Sequence, residues 1–130
     1  MDANKIKAGM TGEARVTVSE ANTAKAMGSG SLEVFATPAL LALMEKAACA
    51  AISGALESGQ SSVGSFASLD HVVASVPGAE VVAVAEVVGT HGRRVSFHVR
   101  AYDGGGEIGR GIHERAVVDS ARFMEKSSSR

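Results

Sequence analysis

The chain reads as one α+β domain, a long helix laid on an antiparallel sheet, and three observations predict it. Helix-forming residues run from Pro38 to about Leu56 almost without a break. Four stretches rich in Val, Ala and Ile follow, separated by short turns that carry glycine. With 130 residues, 45% of them apolar, no Trp and one Tyr, the chain can bury a single core of Val, Ala, Leu and Ile. One helix followed by a meander is the pattern of a helix packed on one sheet face.

Glu13 to Ser19 alternates polar and apolar residues, with Val16 and Val18 on one face, and predicts a first strand. Asn22 to Gly30 reads as loop, and Leu32 to Ala36 as a short strand or an extended lead-in. Thr37 can cap the helix and Pro38 fits its first turn, while Ser58-Gly59 marks its end. The later strands are Ser62 to Ser75 (with a break near Asp70), Glu80 to Gly89, Arg94 to Tyr102 and Glu107 to Asp119. Short connections at Pro77-Gly78, Gly89 to Gly92 and Asp103 to Gly106 predict antiparallel neighbours. The first and last of these four exceed the usual strand of about five or six residues, so a bulge or curvature is expected and the sheet can wrap the helix. Residues 1–126 make one domain, and 127–130 a loose tail.

A net charge of −1 and a pI near 6.4 argue against a nucleic-acid binder with a basic face. No uninterrupted apolar run approaches the roughly 18 to 20 residues of a membrane span, and Met1 to Lys5 is not followed by a signal-type apolar stretch. A cytoplasmic protein is expected. Cys49 is the only cysteine, which rules out an internal disulfide and a zinc-type cysteine pair. No metal and no cofactor is expected.

The polar residues on apolar faces carry the functional reading. Leu41, Glu45, Ala48 and Ile52 share one helical stripe, and a carboxylate there needs a partner or costs several kcal/mol of desolvation. If Ser62 to Val73 is extended, Val63, Ala67, Leu69, His71 and Val73 share a face, so an imidazole lies opposite the helix. His71 is then either an edge histidine with a backbone partner or the mate of Glu45. Thr37 is either an ordinary cap or a hydroxyl placed where helix amides favour developing negative charge. Gly64 permits close approach of a ligand or simply bends its strand. Arg115 is either an exposed strand charge or a site residue, and Arg93-Arg94 beside a glycine turn could meet phosphate.

Taken together these residues resemble the hot-dog-fold thioesterases of the fluoroacetyl-CoA thioesterase-like group, over nearly the whole chain. The resemblance rests on Ala36-Thr37-Pro38, on Glu45 eight residues after Thr37, on His71 a further 26 along, and on Gly111-Ile112-His113-Glu114-Arg115. Gly89 to Phe97 is similar to the family's strand-turn-strand segment. The resemblance implies a hot-dog fold, a long central helix wrapped by a curved antiparallel sheet, and a homodimer with active sites at the interface. It implies hydrolysis of an acyl-CoA thioester, with CoA entering only as part of the substrate. It maps the catalytic roles onto Thr37, Glu45 and His71, and substrate binding onto Gly64 and Arg115. Members specific for the fluorinated substrate carry bulky aromatic side chains before the helix. Ala26 to Leu32 has none, so that specificity is not expected. The rival readings are a non-catalytic acyl-CoA-binding module and a hot-dog enoyl-CoA hydratase, although no hydratase Asp/His pair can be located. Carrier-protein thioesters and pairing of dimers into tetramers stay open.

Overall fold

The computed structural model describes residues 5–130, so all of the N-terminal segment read above except Lys5 lies outside the described residues. Five strands form one antiparallel sheet: β1 (Thr11–Thr17), β2 (Gln60–His71), β3 (Glu80–His91), β4 (Arg94–Asp103) and β5 (Gly106–Asp119). Their spatial order is β1-β3-β4-β5-β2. The sheet curls into a half-barrel around the central helix α2 (Thr37–Ile52). Two further helices are short: α1 (Ala24–Met27) lies in the segment expected to be loop, and α3 (Ser120–Ser128) follows β5 directly. Leu32 to Ala36 contributes only an isolated bridge between Phe35 and Thr23. Ser127 and Ser128 continue α3 instead of starting a loose tail.

Three of the expected neighbours do pair, as the meander β3-β4-β5. β2 does not pair with β3; it lies at the far edge against β5. Residues 72–79 make that crossing across the ends of β5 and β4. Eight residues reach roughly 26 Å, and three strand spacings need only about 14 Å.

The concave face is filled by Val81, Ala83, Ala85 and Val87 of β3 and by Val95, Phe97, Val99 and Ala101 of β4, all buried. Leu40, Leu43, Met44, Ala47, Ala48 and Ile52 of α2 pack onto it. The helix sits closest to β1, where a side chain on Gly12 would strike the backbone at Ala47 and Ala51. Thr37 to Ala55 matches a membrane span by length and composition only (19 residues, mean hydropathy 1.3). The same apolarity serves core packing here, and Glu45 and Lys46 interrupt it near the middle.

β2 stands apart from the other strands. Not one of its twelve residues is buried, and among the described residues no strand lies on its edge away from β5. A bulge at Ser65 splits it, between the pairs Gly64↔Arg115 and Phe66↔Glu114. Residues directly opposite in a ladder share a face, so Ala67, Leu69 and His71 lie on the concave side, as expected. Before the bulge the parity is reversed: Ser62 and Gly64 join that side and Val63 leaves it.

Candidate active site

Two clusters of polar side chains meet the concave side of β2, one near each end of the strand. The first joins Thr37 and His71. Thr37 is not the cap; Ala36 occupies that position and Thr37 opens the helix, with Pro38 next. Its hydroxyl is therefore free to meet His71, and Oγ1 lies 2.8 Å from Nδ1. Phe35 approaches the imidazole edge-on, with ring centroids 6.5 Å apart. Nε2 of His71 is shielded from solvent and has no partner among the described residues. Burial pushes the His71 pKa below the ordinary histidine value, which favours the neutral ring. The pair opens on a cleft of about 220 Å³, lined also by Ala24, Ser29, Val34 and Val72.

The second cluster is built on Arg115. Its side chain is buried and all three guanidinium nitrogens are engaged. Nε donates to Ser62 Oγ at 2.8 Å and Nη2 to the Ser62 carbonyl at 3.0 Å. Nη1 donates to Glu45 Oε2 and to His113 Nε2, both at 3.2 Å. Guanidinium can only donate, so His113 Nε2 must accept, and the ring proton sits on Nδ1 and is donated to the Phe66 carbonyl at 2.8 Å. His113 is buried and stacks on Phe97 at 5.9 Å. Burial lowers its pKa, and the Arg115 charge acts in the same direction.

Glu45 is thus held by Arg115, but it is not in the buried stripe that the sequence suggested: its side chain is 40% exposed. Nor does it pair with His71. Eight residues of α2, about 12 Å at the helical rise, separate it from Thr37. Among the described residues no hydrogen bond or ion pair joins Glu45 to His71. Gly64 lies directly beneath the Glu45 carboxylate. Arg115, read as either an exposed charge or a site residue, is the buried centre of the cluster. The sequence reading missed Ser62 and His113. His113 could have been found from its two-residue spacing to Arg115 on one strand; Ser62 could not, because the bulge reverses the parity.

A hydroxyl on an imidazole, and a carboxylate fixed by a buried guanidinium above a glycine, suit acyl transfer. Residues 18–121 match the family described as fluoroacetyl-CoA-specific thioesterase. The chain belongs to that family. The fluoroacetyl-CoA thioesterase of Streptantibioticus cattleyicolor is 44% identical over 94 residues, 72% of this chain and 68% of that protein. A threonine-to-serine mutant of a fluoroacetyl-CoA thioesterase, solved in complex with acetyl-CoA, is 34% identical with a TM-score of 0.89, covering 95% of this chain and 97% of that one. A thioesterase superfamily member from Thermus thermophilus is 28% identical with a TM-score of 0.83, covering 96% and 98%. This member of the fluoroacetyl-CoA-specific thioesterase family is accordingly a hot-dog-fold thioester hydrolase, and acyl-CoA thioester cleavage is its reaction class.

Proposed function

We propose that the chain is a cytoplasmic acyl-CoA thioesterase that works as a homodimer, with each active site completed across the interface. The observation that carries the site is the Thr37 hydroxyl hydrogen-bonded to His71 Nδ1, a nucleophile against a base. The dimer is supported by the free, unburied edge of β2, on which Phe66 is 51% exposed. Antiparallel pairing of two such edges about a twofold axis turns the strand end that carries His71 toward the half of the second chain that carries Glu45 and Gly64. The two clusters, separate within one chain, then face one substrate.

In this mechanism Thr37 Oγ1 attacks the thioester carbonyl while its proton passes to His71, which hands it to the departing thiolate sulfur. Glu45, fixed by Arg115, takes a proton from the water that attacks the acyl-threonine. That proton returns to Thr37 Oγ1 as its bond to the acyl carbon breaks, releasing the carboxylic acid and restoring both side chains. The Gly64 amide, at the break in the ladder, is the donor assigned to the oxyanion; losing such a donor typically costs about 2.7 to 4 kcal/mol. Specificity for fluoroacetyl-CoA is not proposed, because Met27 and Leu32 are exposed before the helix and the aromatic Phe35 is in the core.

The test is free-thiol release from a panel of short, branched and aromatic acyl-CoAs, with Thr37→Ala and Glu45→Ala measured alongside. Turnover lost in both variants supports the assignment. Tight acyl-CoA binding without thiol release would replace it with a binding module, and hydration of enoyl-CoA with a hydratase.

A further inference from the structure

A further cleft lies away from both clusters. It occupies about 580 Å³ between α3 and the turn before β4, and Arg93, Arg122, Lys126 and Arg130 line it with Phe123. Its one carboxylate, Asp119, is engaged as the cap of α3, accepting from the Arg122 amide at 3.0 Å.

Charge is distributed unevenly around it. Arg15, Arg100, Arg110 and Arg115 each contact a carboxylate. Among the described residues no ion pair reaches Arg93, Arg94, Arg122 or Arg130, and all four lie at this end of the sheet. Arg122 and Lys126 are four residues apart, a like-charge spacing that disfavours the helix carrying it. The chain as a whole has a net charge of −1, so this end is basic by placement, not by composition. Phe123 adds a part-exposed aromatic ring among the cations.

We propose that this cleft binds the phosphorylated nucleotide end of coenzyme A. Arg93, Arg122 and Lys126 take the phosphates and Phe123 takes the adenine face. Guanidinium groups match phosphate oxygens in paired geometry, and every base offers a π-face for stacking. The cleft borders the Gln60↔Asp119 end of the β2–β5 ladder, and the Gly64↔Arg115 pair lies four residues further in, about 13 Å at the strand rise. A pantetheine arm has that distance to bridge. The assignment rests on the acyl-CoA reading above and adds where the nucleotide sits.

The experiment compares acetyl-CoA with S-acetyl-pantetheine, which lacks the nucleotide, in the wild type and in R122E/K126E. Binding of adenosine 3′,5′-bisphosphate is measured by calorimetry at low and high salt. The expected result is a KM for acetyl-CoA raised about tenfold, the scale of one lost charge-assisted contact pair. S-acetyl-pantetheine turnover should change less than twofold, and salt-sensitive bisphosphate binding should vanish in the variant. An unchanged KM for acetyl-CoA, or an equal loss on both substrates, overturns the proposal. So does a loss confined to acyl-carrier-protein thioesters, which would make the cleft a protein-docking surface. If the wild type cleaves neither thioester, the function reading has failed, and bisphosphate binding alone decides the cleft.

Discussion

The Glu45 carboxylate occupies the space that a side chain at position 64 would need: a Cβ built on Gly64 would lie 2.5 Å from Oε2. The glycine is required by this approach and not by an unusual backbone angle, since Gly64 is not among the residues with positive φ. Gly64→Ala should push the carboxylate off its guanidinium partner while the exposed strand keeps its place. A displacement of about 1 Å can cost roughly a hundredfold in rate. We expect kcat for acetyl-CoA to fall by that order with Tm little changed.

Arg115 binds four groups at once, and only its planar fork can do so. Arg115→Lys should therefore behave nearly as badly as Arg115→Ala, leaving Ser62 and His113 short of partners. The expected loss is about 1 to 3 kcal/mol of stability, read as a lower urea midpoint at constant m-value. A lysine variant with wild-type stability would mean that the site needs only charge.

His71 must be neutral to accept the Thr37 proton. Its folded pKa is lowered by burial, so the neutral form persists below the usual histidine value of about 6.5. The rate should be flat through neutral pH and fall only on the acid side of that value. Thr37→Ser should keep this profile, whereas Thr37→Val should lower kcat by roughly 10² to 10⁴. An acid limb that persists in His71→Gln would assign the titration to another group.

Stability should follow pH with the same sign. His113 is held neutral in the fold by burial and by Arg115, so its folded pKa lies below the unfolded value. Between the two values the unfolded chain carries the extra proton, and stability rises with pH. Stability should thus fall as pH drops below about 6.5, progressively until the lowered folded pKa is passed. His113→Gln should flatten that slope in a urea-unfolding series across pH 5 to 7.

Much of this was legible in the residues, for identifiable reasons. The helix around Leu40 to Ile52 and the three-strand meander announce themselves because periodicity and turn glycines are local signals. The partner of β2 does not, since a crossing of eight residues reaches either edge of the sheet. Thr37, Glu45, His71, Gly64 and Arg115 could be singled out as polar or small residues in apolar patterns. That Glu45 turns to Arg115 and not to His71 depends on the rise of α2 and on the bulge at Ser65. A single inserted residue sets the two halves of the strand at opposite parity, so a face read correctly at His71 is read wrongly at Val63, and composition does not mark where the switch falls. Helix α3 escaped because the sequence pattern marks no element over residues 120–126, and 127–130 read as tail.

The bareness of β2 reaches beyond the active site. A strand of twelve residues that buries none of them is held by its ladder to β5 and by whatever meets its other edge. If that partner is a second copy, then the strand is kept in register by mass action as much as by sequence, and dilution acts as a denaturant. The melting temperature should climb with the logarithm of protein concentration. How sturdy this enzyme is would then be a property of the solution around it, not of the chain alone.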